Sequence, residues 1–268
     1  MSEIIIEKNN PESPTKIAVL CCDGANHFYL LEQLSQHFSI AAVVMETDEN
    51  QLKWLWKKKR YSLWFSRLYH QKRRQLMGHS AHRKRFFPKS FNLAESNIPT
   101  YYPFNINERG VSKFLKTIEP DITIVCGTMF VGKRTRKASN TIINIHGGVL
   151  PEYKGNQCIF FALHEKNFDK IGSTLHLVTE VLDGGSVISV VKPEIVAGDN
   201  DETLYAKSTK LCIEELVRLL HLYEKGEKLI AKSQPINDKK TFSHRDRTPW
   251  VELKHTFDRW QGKHIPTN

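Results

Sequence analysis

Asn144 and His146 sit two residues apart in the run Ile142-Ile143-Asn144-Ile145-His146, so on a β-strand their side chains project from the same face. Thirty-seven residues after His146 comes Asp183, in the glycine-flanked stretch Val181-Leu182-Asp183-Gly184-Gly185. These three residue types suit one chemistry. When an amine attacks a carbonyl carbon, negative charge develops on oxygen and positive charge on nitrogen. An amide N–H such as that of Asn144 stabilises the oxyanion. An imidazole such as His146 donates to that oxygen or takes the amine proton. A carboxylate such as Asp183 fixes the imidazole and accepts the proton directly or through water. The competing reading of a strand-end histidine is a packing role, so spacing alone does not decide between them.

The elements that would carry these residues are legible as hydrophobic runs. Lys16 to Cys22, Ser39 to Met45 and Asp121 to Cys126 are short and apolar without polar alternation, as expected of strands buried on both faces. Between the first two, Asp23-Gly24-Ala25-Asn26 supplies turn and N-cap chemistry. Phe28, Leu30, Leu31, Leu34 and Phe38 then recur close to helical spacing. Strand, turn, helix and strand in that order open a doubly wound, mostly parallel α/β sheet. Helices are predicted over about 50–77 with Gly78 as the stop, and over 111–118, 156–166 and 201–224. The last of these is apolar at Leu204, Leu211, Ile213, Leu216, Leu219 and Leu220. Further strands are predicted at 142–146, 172–179 and 186–191. Ligands of open α/β sheets bind beyond the carboxyl ends of the strands, where the Asn144, His146 and Asp183 positions fall.

A chain of 268 residues suffices for one large domain, or one with a small appendage. The pattern divides it into a flexible leader at 1–15, one domain at 16–225 and a polar extension at 226–268. With 40% hydrophobic and 25% charged residues, disorder throughout is excluded. No window approaches the ~20 apolar residues of a membrane span. The segment Met1 to Lys8 lacks the basic flank and apolar core of a signal peptide, so a cytoplasmic location is expected. The five cysteines include no Cys-x-x-Cys pair, and they are expected as reduced, mostly buried thiols with no zinc knuckle. No metal site is expected. The net charge of +10 is local: residues 53–90 hold thirteen Lys and Arg and no Asp or Glu, and the remainder carries a net of −3.

The motifs narrow the chemistry. Asn144-Ile145-His146-Gly147-Gly148-Val149-Leu150-Pro151, followed by Tyr153-Lys154-Gly155, resembles the Asn-x-His-x-Ser-Leu-Leu-Pro…Arg-Gly signature of folate-dependent formyltransferases. Gly172-Ser173-Thr174-Leu175-His176 is similar to that family's Gly-x-Thr-x-His strand. Leu182-Asp183-Gly184-Gly185-Ser186-Val187-Ile188 is similar to its Asp-x-Gly-x-Ile loop. The match is specific over about 120–192 and looser over 16–45. It implies a Rossmann-like fold and transfer of a formyl group from 10-formyltetrahydrofolate to a primary amine, with Asn144, His146 and Asp183 as the catalytic set. By the same resemblance Gly127, Thr128, Met129, Phe130 and Val131 face the pterin, with Leu182 and Gly184 closing the other side. The acceptor would meet the turn of Asp23, Gly24 and Asn26, where main-chain N–H groups at a helix start can receive a phosphate; capping alone is the simpler reading of that turn. Gly148 stands where the family usually has Ser, and Lys154 where it usually has Arg. Both fall in the acceptor loop, so the change bears on substrate identity.

Trp54, Trp56, Tyr61, Trp64, Phe65 and Tyr69 interleave with the basic charges of 53–90. The segment reads as a basic helical insertion between sheet units. It could be a solvated helix pair with aromatics packed inward, a homo-oligomer contact, or a site for an acidic partner such as a nucleotide-linked sugar, RNA or an anionic membrane surface; binding of nucleic acid or membrane is not favoured. The working expectation is that it tailors substrate access or assembly rather than the chemical step. Thr241 to Pro249 resembles the tail of several sugar-amine formyltransferases, with a helix following over Trp250 to Trp260. Too few residues follow the long helix for a tRNA-binding barrel, so an amino sugar or related intermediate, possibly nucleotide-linked, is the expected acceptor. The alternatives are an enzyme like the methionyl-tRNA or glycinamide ribonucleotide formyltransferases, a formyl-folate hydrolase, and a nucleic-acid-binding module on a degenerate enzyme fold.

Overall fold

The computed structural model describes residues 2–8, 10, 12–88, 91–235 and 241–261, with no side-chain detail at 80–82. Its strands are β1 (Glu3–Ile6), β2 (Ile17–Cys21), β3 (Ile40–Met45), β4 (Thr100–Tyr101), β5 (Ile122–Cys126), β6 (Thr141–His146), β7 (Lys154–Gly155), β8 (Ser173–Leu177), β9 (Val187–Val191), β10 (Leu229–Lys232) and β11 (Thr241–Phe242). The α-helices are α1 (Ala25–His37), α2 (Asp48–Lys57), α3 (Tyr61–Leu76), α4 (His79–Phe86), α5 (Arg109–Ile118), α6 (Lys133–Arg136), α7 (Cys158–His164), α8 (Asp201–Glu224) and α9 (Pro249–Trp260).

Nine strands form one sheet in the order β1-β10-β9-β8-β6-β5-β2-β3-β4. From β6 to β4 every neighbour is parallel, and from β6 to β1 every neighbour is antiparallel. Seven of the nine strands therefore run in one direction, with only β8 and β10 reversed. This is the expected doubly wound, Rossmann-like α/β architecture. The period of two along β2 explains the layers. Ile17, Val19 and Cys21 join Leu30 and Leu34 of α1 and Leu216 and Leu220 of α8 on one face. Ala18 and Leu20 join Val111 and Leu115 of α5 on the other. Truncating a side chain as buried as Leu216 to Ala would cost about 2–5 kcal/mol. The start of α8 is fixed by Asn200, whose side-chain oxygen accepts from the Glu202 and Thr203 N–H groups at 2.9 and 3.0 Å, a cap worth ~1 kcal/mol.

Three expectations need correction. The 1–15 leader contains a strand of the main sheet, because Glu3–Ile6 pairs antiparallel with Leu229–Lys232 and covers its edge. That pairing also draws the start of the 226–268 extension into the sheet, so 225 is not a structural boundary. The single helix over 50–77 is two, broken at Lys58–Arg60, where Lys59 takes a left-handed φ of 55°. The break lets Trp56 fold back against Tyr61 and Trp64, each with ring centroids 5.0 Å away. Gly78, at φ 71°, ends this pair and precedes α4.

Candidate active site

The carboxyl ends of β2, β5 and β6 open into a cleft of about 610 Å³. On its sheet-side wall, β6 presents Asn144 and His146, and β8 pairs beside it so that Asn144 faces His176 and His146 faces Thr174. Asp183 sits in the turn before β9 with φ 51°, and the three residues separated in sequence meet there. The Asp183 carboxylate lies 3.6 Å from His146 Nδ1 and 3.6 Å from His176 Nε2, and it accepts the Gly155 N–H at 2.7 Å. From the C-terminal extension, Gln234 donates to the Asp183 and Gly185 carbonyls at 2.8 and 2.7 Å, holding the turn from behind.

The hydrogen bonds assign protons. His146 Nε2 is 2.7 Å from the Tyr153 carbonyl, which can only accept, so Nε2 carries a proton. Nδ1, facing Asp183, is then the basic nitrogen. Burial lowers the His146 pKa, which makes the neutral ring the ground state at neutral pH. Burial works to raise the Asp183 carboxyl, but the positive charge that His146 and His176 carry when protonated, together with the Gly155 N–H, outweighs it and holds the group below its ordinary value, ionised. His176 donates from Nδ1 to the Leu177 carbonyl at 2.9 Å. Its Nε2 is thus free to accept from the Asn144 amide at 3.0 Å. That contact orients the amide and leaves its second N–H for an oxygen in the cleft. The arrangement can stabilise an oxyanion, take up one proton on a buried imidazole, and hold the resulting imidazolium against a carboxylate.

Across the cleft, Gly127, Thr128, Met129, Phe130 and Val131 follow β5 and line the opening, and Leu182 lines it beside Asp183. Phe130 and Leu182 are half-exposed, apolar lips suited to a flat aromatic ligand. Gly127 has φ +72°, and a Cβ there would lie 2.4 Å from His27 Nε2, so backbone and ring share a space no side chain could enter. The loop is held by Glu46, fully buried just after β3. Glu46 accepts from the Met129 and Ile106 N–H groups, both at 2.8 Å, and from Asn105 and Gln51, both at 3.0 Å. Burial raises its pKa against the pull of these donors. Gln51 lines the cleft, and its Oε1 is buried without a partner. That acceptor beside the Gly127 loop fits a ligand bearing N–H groups, as a pterin does.

Gly24 and Asn26 also line the cleft. Asn26 donates to the Tyr205 hydroxyl at 3.2 Å, and the Gly24 N–H is spent on His27 Nδ1 at 3.2 Å. Four sequence-predicted contacts stand off the cleft wall. The Asp23 carboxylate accepts the Asp48 N–H at 3.0 Å instead. Gly148 lies beneath the end of β6, where a Cβ would meet Cys158 Cβ, the Tyr153 carbonyl and His146 Nε2 at 2.6–2.8 Å. Lys154 is paired with Thr241 through β7 and β11. Gly184 closes a tight turn by donating to Val181 O at 3.1 Å. Among the described residues, one cluster has metal-ligating types, Cys22, Asp23 and Asp48. Burial first, and the two carboxylates second, push its thiol up and keep it protonated, and Asp48 is engaged by Arg67 at 2.9 Å.

The basic insertion does not lie apart from the site. Helices α2 to α4 reach over the mouth and bring Arg67, Arg74 and Arg83 into the cleft. Arg67 touches the Met129 sulfur at 3.6 Å, and Arg83 pairs with Glu202 and stacks over Tyr205 with 4.6 Å to the ring. The C-terminal extension locks onto the same region. Arg247, 2% exposed, pairs with Asp201 and Gln157 at 2.8 Å and with Glu252. Arg73 of α3 reaches Glu252 at 3.1 Å, and His70 donates to the His244 carbonyl at 2.7 Å. Sequence reasoning missed His176, Glu46 and these arginines as site residues. Only for His176 was there a signal, the Gly-x-Thr-x-His strand.

Fold and site together define an α/β protein that gathers an amide, an imidazole and a carboxylate at the carboxyl mouth of its sheet. The chain belongs to the formyl transferase family, whose profile matches residues 15–220. It is 30% identical over 159 residues to a methionyl-tRNA formyltransferase of Sulfurihydrogenibium, covering 58% of this chain and 50% of that protein. The chain spans about half the length of the curated relatives it matches. Two solved structures share the fold. A phosphoribosylglycinamide formyltransferase from Anaplasma phagocytophilum superposes with TM-score 0.54 at 18% identity, over 86% of this chain and 98% of that one. A sugar N-formyltransferase from a Shewanella species superposes with TM-score 0.51 at 11% identity, over 85% and 75%. Among the described residues no helix is long and apolar enough to cross a membrane.

Proposed function

We propose that the protein transfers the formyl group of 10-formyltetrahydrofolate to a primary amine, with an amino sugar or a related biosynthetic intermediate as acceptor. The observation that carries this is the meeting of Asn144, His146 and Asp183 at one cleft mouth, opposite the Glu46-braced loop after β5. The donor supplies a formyl carbon at the amide oxidation level. The Gly127–Val131 loop, Gln51 and Leu182 hold its ring system. The acceptor nitrogen bonds to that carbon, and the Asn144 N–H receives the charge that grows on oxygen. The proton lost by the amine passes to His146 Nδ1 or, through water, to Asp183, which is already ionised. The same groups return a proton to the donor nitrogen as its bond to the carbon breaks. The products are a formamide and tetrahydrofolate, with no net change in enzyme protonation.

The sugar acceptor draws support from the tail over Thr241–Trp260, which packs on the cleft wall through Arg247, and from the Shewanella sugar N-formyltransferase among the fold relatives. The test is to incubate the protein with 10-formyltetrahydrofolate and separate acceptors: nucleotide-linked amino sugars, glycinamide ribonucleotide and methionyl-tRNA. Mass gain of one formyl group on an amino sugar is the expected result. Formylation of only one of the other two reassigns the acceptor. Formate release without transfer makes it a hydrolase, and failure to bind a formyl-folate removes the reading altogether.

A further inference from the structure

The cleft's carboxylates are all engaged. Asp48 is paired with Arg67 at 2.9 Å, Glu202 with Arg83, and Asp201 with Arg247 at 2.8 Å, while Asp183 serves the two histidines. One cleft-lining arginine remains inside this ring without a carboxylate: Arg74, half-buried in the last turn of α3. Among the described residues no acidic group lies within ion-pair range of it. Arg60, which also lines the cleft, is exposed and lies 5.5 Å over the Trp54 ring. Burial, and then the positive charge of Arg83, push the Arg74 pKa down to about 10. Enclosing a cation beside Arg83, where the nearby Glu202 and Asp48 carboxylates are already paired with other arginines, is unfavourable unless an anion arrives to offset it.

Position says which substrate would bring that anion. Arg67 and Arg74 are seven residues apart and share a face of α3, two turns or ~10 Å from each other. Arg67 touches Met129 of the donor-side loop. Arg74 lies two turns further on, near Arg83, which stacks on the ring of Tyr205. Tyr205 in turn accepts from Asn26, in the turn after β2 that is expected to meet the acceptor. A guanidinium fork matches a phosphoryl group with two parallel hydrogen bonds, and such a group brings the charge that a cluster of guanidinia needs. We propose that Arg74 is the anion-recognition residue of this cleft and that the amine acceptor carries a phosphoryl group that docks on it. This assignment rests on the amine-acceptor reading given above.

The test uses two probes on the full chain, inorganic pyrophosphate and the unreactive donor analogue 5-formyltetrahydrofolate, each followed by calorimetric titration. The proposal expects saturable pyrophosphate binding that weakens ~10- to 100-fold in Arg74→Gln, the loss of a charged hydrogen bond. Arg74→Lys should keep part of it, since the point charge survives, and Lys84→Gln, on the exposed side of the same insertion, should keep all of it. Binding of the folate analogue should be the same in every variant, with thermal melts confirming the fold. Equal pyrophosphate affinity in wild type and Arg74→Gln overturns the proposal. So does the absence of saturable pyrophosphate binding in wild type, or weakened folate binding alone, which would assign Arg74 to the donor's carboxylates. If wild type binds pyrophosphate but not the folate analogue, it is the formyl-transfer reading that fails.

Discussion

The two walls of the cleft are built in different ways. On the sheet side, Asn144, His146, His176 and Asp183 are placed by strand register and by hydrogen bonds to backbone groups of Tyr153, Gly155 and Leu177. On the helical side, Arg67, Arg83 and Arg247 are placed by ion pairs between long side chains, drawn from the insertion, α8 and the extension. A ladder fixes an atom to a few tenths of an ångström and tolerates little change. Ion pairs on flexible stems can be rewired one residue at a time. Under the proposed function, the chemical step belongs to the rigid wall and the choice of acceptor to the adaptable one.

Three substitutions and one pH profile would break or sharpen that contrast. The largest effect expected is His146→Ala, which removes the basic nitrogen facing Asp183 and should lower turnover about 10³-fold with an unchanged melting profile. Near-normal turnover in a folded variant would take the rigid wall out of the chemistry. Wild-type kcat/KM should also fall on the acid side with a midpoint below the usual histidine value of ~6.5, because burial lowers the pKa of the ring that must be neutral. Arg247→Ala leaves Asp201 buried and unpaired and should cost about 3–5 kcal/mol of stability in thermal or urea denaturation; a loss well under that would mean the helical wall is not stapled by this residue. Gly148→Ser inserts atoms against His146 Nε2 and the Tyr153 carbonyl. It should reduce kcat by about tenfold through displacement of the imidazole, with folate affinity unchanged, and an unaltered kcat would show that the rigid wall yields more than its packing suggests.

The smallest effect is on stability against pH. Burial holds His70, at the insertion–extension seam, at about 4. The unfolded chain binds that proton near ~6.5, so stability is fully present above 6.5 and declines as pH falls toward 4. Melting temperatures across that window should drop, and His70→Gln, which can still donate to the His244 carbonyl, should flatten the drop. His27, His146, His164, His244 and His255 are also held below the ordinary value by burial, so a slope unchanged by His70→Gln would assign the effect to that group.

Much of this was legible in the chain. Buried strands announce themselves as runs such as Ile17–Cys21, and α8 was predicted at its observed limits, Asp201–Glu224, from periodicity. The motif around Asn144 and His146 pointed to the rigid wall. Ile4-Ile5-Ile6 was too short to signal a strand, because its partner lies more than 220 residues away. The break at Lys59 escaped because all its neighbours suit a helix, and only the tertiary packing of Trp56 on Trp64 favours the bend. His176 was left out of the site because nothing local says that β8 runs antiparallel to β6 and sets it opposite Asn144.

By itself the sequence determined the class of fold, the sheet that carries the amide and imidazole, and the kind of reaction they suit, since these follow from periodicity and residue chemistry over short distances. The tertiary structure alone decided which nitrogen of His146 is basic, that Glu46 braces the opposite loop, and that, among the described residues, no carboxylate pairs with Arg74 inside the cleft. Each of those depends on which groups meet through space, and a proton or a charge answers to the atoms around it rather than to its neighbours along the chain.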